Sequence, residues 1–197
     1  MSMTVIKKIY DAPPVNEREI LRYAGCRDAD DATLTLLRDA LSEAEPHLSY
    51  QLCYAEFPVE IADEFCDLGS FCIKSSSFSK NLAGCKSTVI FAATVGIRLD
   101  RLISKYSRLA PARAVMLQAI GSERVEALCD VFCNELRDEL SVDIRPRFSP
   151  GYGDVSLDVQ RDIFSALDIS KNLSVYLTDS LLMSPSKSVT AFVGLKK

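Results

Sequence analysis

Ser87-Thr88-Val89-Ile90-Phe91-Ala92-Ala93-Thr94-Val95-Gly96 is the stretch on which the fold turns. Its apolar part, Val89 to Val95, has the length of a buried strand and is far too short for a membrane span. Valine, isoleucine and phenylalanine favour extended backbone. Ala92, Ala93 and Thr94 are small and leave room for close neighbours. Gly96 ends the strand, and a helix is expected from about Leu99 to Arg108. Pro111 suits a first helical position and opens a long helix around 112–140. Gly121, Val125, Leu128, Cys129, Phe132, Leu136 and Leu140 form one apolar stripe along it. Glu126 lies at the margin of that stripe, and Asp130 one turn further on.

Upstream, Asn16 precedes Glu17-Arg18-Glu19-Ile20-Leu21-Arg22-Tyr23-Ala24-Gly25, the pattern of a capped short helix ending on glycine. Asp30 or Asp31 can cap the next helix, where Leu34, Leu37 and Leu41 recur at helical spacing and Pro46 marks the stop. Ser49 to Ile61 alternates and suits a strand, and Phe71-Cys72-Ile73 suits a shorter one. Ser75 to Gly84 fits a capped short helix. Downstream, Asp154 or Ser156 can cap a helix that turns Val159, Ile163, Ala166 and Leu167 inward. Strand-like pieces follow at Leu173 to Leu177 and Ser188 to Val193, with a turn from Leu182 to Lys187 between them. There is no regular βαβ alternation. The expected class is α+β, with a mixed, largely antiparallel central sheet flanked by helices, as a single domain over residues 1–197.

The 197 residues suffice for a hydrophobic core without staples. The net charge of −4 argues against a general phosphate-binding surface, so no nucleic-acid partner is expected. No apolar run reaches membrane length, and Met1 to Lys8 lacks an apolar leader core, so a cytoplasmic protein without a membrane partner is expected. The seven cysteines are odd in number and none is spaced Cys-x-x-Cys, which fits buried thiols in a reducing compartment. Cys129 and Cys133 lie one helical turn apart, but His47, the only histidine, is distant, and no metal site is expected.

Arg147-Phe148-Ser149-Pro150-Gly151-Tyr152-Gly153-Asp154 is the stretch with chemical character. Gly151 and Gly153 allow close approach or positive φ. Pro150 restrains its own φ and the residue before it. Tyr152 offers a flat face and a hydroxyl. Arg147 can grip a carboxylate or phosphate with two parallel bonds. A ligand with a heteroaromatic ring at one end and a carboxylate at the other fits that inventory. A tight structural loop with a solvated arginine fits it as well.

Arg147-x-x-x-Gly151-Tyr152, with Pro150 before the glycine, resembles the Arg-x-x-x-Gly-Tyr signature of the activation (reactivation) domain of cobalamin-dependent methionine synthase. Three more stretches agree in order. Val89 to Gly96 is similar to the family's Phe-Ala-Val-Thr-x-Gly strand. Arg124-Val125-Glu126-Ala127 resembles the helix that supplies a ligand-binding glutamate. Leu177-Thr178-Asp179-Ser180-Leu181-Leu182-Met183-Ser184-Pro185-Ser186-Lys187-Ser188-Val189 resembles Leu-Thr-Glu-Ser-x-x-Met-x-Pro-x-x-Ser-Val. The matches fall in a motif-bearing portion, 86–197, and the N-terminal portion, 1–85, looks more like small stand-alone members.

The resemblance implies a domain that binds S-adenosylmethionine and presents its methyl group to a corrinoid cobalt held by another protein. With one electron from a reductase, that methyl group restores a cobalt centre oxidised to its inactive state. Arg147 would pair with the methionine carboxylate and Glu126 would receive the ammonium group. Phe148, Ser149, Pro150 and Gly151, through their backbone, and Tyr152 would position the adenosyl part. No catalytic acid or base is implied, because the chemistry lies at the partner's cobalamin. The implied partners are a corrinoid methionine synthase lacking its own activation domain and a flavodoxin-type electron donor. The family's early aspartate, in an Asp-Trp-Thr-Pro context, has no counterpart motif here, and there is no tryptophan. That departure leaves open an alternative, a module that docks on corrinoid proteins without using S-adenosylmethionine.

Overall fold

The computed structural model of the chain describes residues 4–26 and 28–196. Met1 to Met3, at the head of the segment read above for a leader, lie outside the described residues. The elements run β1 (Ile6–Tyr10), α1 (Glu17–Tyr23), α2 (Asp31–Ala44), β2 (Tyr50–Pro58), β3 (Glu60–Ala62), β4 (Phe65–Asp67), β5 (Cys72–Lys74), α3 (Ser76–Asn81), β6 (Ser87–Thr94), α4 (Ile97–Leu109) and α5 (Pro111–Leu140). They continue with β7 (Asp143–Ile144), α6 (Val159–Ala166), α7 (Ile169–Leu173), β8 (Tyr176–Leu177), β9 (Met183–Ser184) and β10 (Ser188–Lys196). The class is α+β. A five-stranded sheet of order β1-β2-β6-β10-β7 is antiparallel at every pairing, and helices cover both its faces.

Every residue of β6 is buried, which explains its lack of alternation. Val89, Phe91 and Ala93 point to one face, where α2, α4 and α5 pack; Ile90 and Ala92 point to the other, under α3, α6 and α7. Phe91 and Tyr54 each place a ring 5.0 Å from that of Phe132 on α5, and Phe192 of β10 sits 4.7 Å from Phe78 of α3. The small residues expected to admit close neighbours do so: Ala92 and Ala93 face Cys53 and Leu52 on one side and Thr190 and Val189 on the other.

The helix caps follow the sequence. Asn16 accepts from Glu19 N at 3.2 Å, Asp30 from Thr33 N at 2.8 Å, and Ser75 from Phe78 N at 3.0 Å. The stripe on α5 is buried as expected, apart from Leu140 in the last turn, which is partly exposed.

Three expectations are corrected. The strand read from Ser49 to Ile61 breaks after Pro58, which has no N–H to continue the ladder; beyond it the chain enters a separate three-stranded sheet, β3-β4-β5. The strand read from Leu173 is preceded by helix, because Ile169 to Leu173 closes one more turn and Ser174 ends it in the left-handed region at φ +55°. Asp154 caps no helix of its own segment. It reaches across to α3, while α6 starts at Val159 after a turn in which Ser156 Oγ accepts from Asp158 N at 3.1 Å. Strand β1 escaped the sequence reading, since it is an edge strand with Ile6 and Ile9 exposed.

The core reading is tested by Phe91→Ala. Deleting a fully buried ring should cost about 3–5 kcal/mol in denaturant unfolding, whereas Ile9→Ala on the exposed edge should stay within about 0.5 kcal/mol.

Candidate functional site

The site forms where the outer edge of β10 lies open. β7 pairs with β10 only at Leu195 and Lys196, and Phe148 continues that pairing with Phe192 through bonds of 3.0 and 2.7 Å. Ahead of that point, Ser188 to Ala191 form the floor of a cleft of about 390 Å³. Its walls are Glu126 from α5, Arg147, Ser149, Pro150 and Tyr152 from the loop after β7, Gln160 from α6, and Met183 from β9. The volume lies within the range of small-molecule sites. Phe192 and Gly194 turn their main-chain groups outward to Phe148 and Arg145. By the alternation of an antiparallel ladder, those of Thr190 point the same way, into the cleft. Thr190 Oγ1 in turn donates to Gln160 Oε1 at 3.3 Å.

The same alternation sorts the loop. Phe148 turns toward the sheet face under α3, its ring 5.6 Å from Phe78, and Arg147 turns the other way, toward α5. Arg147 Nη2 meets Glu126 Oε2 and Asp130 Oδ1, both at 2.9 Å. Glu126 and Asp130 are one turn apart on the exposed side of α5, so a single guanidinium clamps both. Behind this cluster burial pushes the Cys129 thiol up, and the Cys133 thiol to about 11, so both are uncharged at neutral pH.

A second cavity, of about 800 Å³, lies on the other side of the Arg147–Glu126 pair, between α5 and the segment Pro13 to Glu19. The buried Arg124 shapes it. Its guanidinium bonds both carboxylate oxygens of Glu123 at 2.6 Å and the carbonyls of Pro13 and Pro14 at 2.6 and 2.7 Å. Glu123 also accepts from Asn16 N at 3.0 Å. This network fixes the N-terminal segment against α5.

The loop itself is pinned by Asp154. Its carboxylate accepts from the Ser75 hydroxyl and from Ser76 N and Ser77 N at 2.8 and 3.1 Å. Gly153 is held at φ +56° so close to α3 that an added Cβ would lie 2.8 Å from Ser77 Oγ. The turn closes with Tyr152 N bonded to Ser149 O at 3.1 Å and Gly151 N to Val155 O at 3.0 Å. The Tyr152 ring stands exposed on the rim, edge-on to Phe148 at 6.4 Å.

Of the residues singled out in the sequence, Glu126, Arg147, Ser149, Pro150 and Tyr152 meet on the cleft wall. Phe148 and Gly151 do not. Phe148 is partly buried and packs against the core, and the N–H groups of Phe148, Gly151 and Tyr152 are used within the chain. Arg147 and Glu126, read as two separate charged contacts, are paired with each other. Asp130 was noted only for its place on the helix. Met183, Ser188 and Val189 fall in the resembling stretch Leu177 to Val189 but carry no site role there. Gln160, Thr190 and Ala191 are not foreseen, because nothing local marks a residue whose role comes from tertiary contact.

No family model matches the sequence, and no curated protein sequence matches it. Among solved structures, the crystal structure of the MetH reactivation domain bound to AdoHcy is similar to this chain. The TM-score is 0.70, with 98% of this chain and 78% of that chain covered at 15% sequence identity. The shared property is the fold. Among the described residues no helix is long and apolar enough to cross a membrane.

Asp154 gives a pH-dependent test. The Ser75 hydroxyl bond, against opposing desolvation, and then the Ser77 and Ser76 amides hold its pKa well below the usual carboxylate value. A pKa lowered on folding adds stability that is present above the unfolded value, about 3.9, and is lost as pH falls through the folded one. Asp154→Asn should therefore be less stable than the wild type at pH 7, with the gap closing below about pH 4 in denaturant titrations. Hydrogen exchange at Ser76 and Ser77 should be faster in the variant at neutral pH.

Proposed function

We propose that the chain is an S-adenosylmethionine-binding reactivation protein that supports reductive methylation of the cobalamin of a separate corrinoid methionine synthase. The observation that carries this reading is the fold shared with a reactivation domain that holds AdoHcy, over nearly the whole of this chain. The cleft supports it chemically. Glu126 and Arg147 supply opposite charges at one end, Tyr152 an aromatic face on the rim, and Thr190 a main-chain edge on the floor. A nucleoside joined to an amino acid presents complementary groups in the same order. The partner's cobalamin supplies the methyl-accepting metal, while this chain's residues hold the methyl donor and orient it.

The partners of this reading are a methionine synthase lacking its own activation domain and a flavodoxin-type electron donor, in the cytoplasm. Two observations favour a second reading, a module that docks on corrinoid proteins without the nucleoside. Arg147 is already engaged by Glu126 and Asp130, and the Asp-Trp-Thr-Pro motif is absent.

Calorimetry with AdoHcy and S-adenosylmethionine separates the two. The first reading expects saturable binding that Arg147→Ala and Tyr152→Ala each weaken. Loss of a contact to a charged group costs about 1.5–3 kcal/mol, roughly ten-fold or more in affinity. Recovery of a cobalt(II)-inactivated synthase should require this protein, the reductant and S-adenosylmethionine together. Absence of binding, with intact docking to the corrinoid protein, selects the second reading.

A further inference from the structure

Lys187 is a half-buried lysine beside the cleft whose ammonium group has a hydroxyl for a partner. Its backbone is fixed on both sides. Val95 N donates to Lys187 O at 3.1 Å, and the preceding Ser186 is held by Asp100 through its N at 2.6 Å and its Oγ at 2.8 Å. Ser188 and Val189, which follow it, already belong to the cleft floor. The stem crosses α5 at Gly121, where an added Cβ would lie 2.8 Å from Lys187 Cγ and 2.6 Å from Leu99 Cδ2. Glycine at 121 is what admits a long side chain there.

Beyond that notch Lys187 Nζ donates to Ser122 Oγ at 3.0 Å. Among the described residues, no carboxylate lies within 4.0 Å of it. Asp100 approaches most closely in its electrostatic effect, but its two oxygens serve Ser186. Burial accordingly lowers the Lys187 pKa. A partly desolvated charge with no carboxylate in direct contact is costly and favours an anion that comes to it. Arg147 is in the opposite condition, with two carboxylates at 2.9 Å.

Ser122 and Glu126 are one turn apart on α5, where side chains stand about 5–6 Å from each other. Lys187, bonded to Ser122, thus places a positive group about one helical turn from the negative Glu126 of the cleft wall, at the head of the strand whose Ser188 and Val189 form the floor. We propose that Lys187 is the cation that takes the ligand's carboxylate, and that Arg147 is a positioning residue that holds Glu126 for the ammonium group. This rests on the reading of the cleft as a site for S-adenosylmethionine or AdoHcy, and assigns its carboxylate to a residue other than Arg147.

The test deletes the carboxylate from the ligand and the charge from the protein in turn. AdoHcy and its decarboxylated amine are titrated calorimetrically into the wild type, Lys187→Met and Arg147→Ala. Methionine keeps the unbranched stem in the Gly121 notch, and Lys187→Gln carries the same test if Lys187→Met does not fold. The wild type should bind AdoHcy about ten-fold or more tightly than the amine. Lys187→Met should lose that preference while binding the amine as the wild type does, and Arg147→Ala should keep it while binding both ligands more weakly. If Lys187→Met keeps the preference, or if Arg147→Ala is the variant that loses it, the assignment is overturned and the site stands. If the wild type binds neither ligand, the nucleoside-site reading falls and takes the assignment with it.

Discussion

Burial of β6 on both faces is the constraint from which the rest of the architecture follows. A strand with Val89, Phe91 and Ala93 on one side and Ile90 and Ala92 on the other cannot lie at a surface. Antiparallel sheets often leave one face to water; this one requires a helical layer on each. Helix α5 of one layer and α6 of the other both border the outer edge of the sheet. There β10 has a partner along only part of its length, first β7 and then Phe148. Where pairing stops, both layers and a strand edge face the same space. The cleft is therefore a consequence of how far β7 reaches, and its walls come from elements distant in the chain.

Helix α5 is the member common to both tasks. Its buried row, from Val125 through Cys129 and Phe132 to Leu136, covers the sheet, while Ser122, Glu126 and Asp130 line its outer side at four-residue intervals. Between these rows the buried Glu123–Arg124 pair ties down Pro13, Pro14 and Asn16. Neither charge could be removed alone at low cost, because its partner would remain buried and unpaired. The loop from Arg147 to Asp154 is fastened at both ends by the same logic: Arg147 to α5, and Asp154 to the first turn of α3.

The fold was largely legible in the sequence because its signals are local. Asn16, Asp30 and Ser75 are caps within three residues of what they cap, and the stripe on α5 repeats at one helical period. The reading failed where a local signal was outvoted at long range. Asp154 looks like a helix cap for its own segment, but its oxygens are used by Ser75, Ser76 and Ser77, nearly eighty positions earlier. Pro58 ended a strand whose alternation continued past it. In the site, Arg147 and Tyr152 stood out by type, whereas Gln160 and Thr190 did not, since their place is given by tertiary contact and strand parity. The pairing of Arg147 with Glu126 was likewise invisible, because each charge suggests a ligand contact by itself and spacing alone does not join them.

The charges around the cleft also limit what can enter it. Glu126 and Arg147 are the charged residues of the cleft wall, one negative and one positive, a pair that is neutral as a whole. An amino acid terminus, which carries one charge of each sign, leaves that balance unchanged on binding. A simple anion or cation would leave a net charge in a partly desolvated space, at a cost that grows as water is excluded. The rim pairs of Arg147 are solvent-accessible on the carboxylate side, the geometry in which ion pairs exchange at little cost. One charge of each sign in the wall is thus better matched by a zwitterion than by a singly charged ligand.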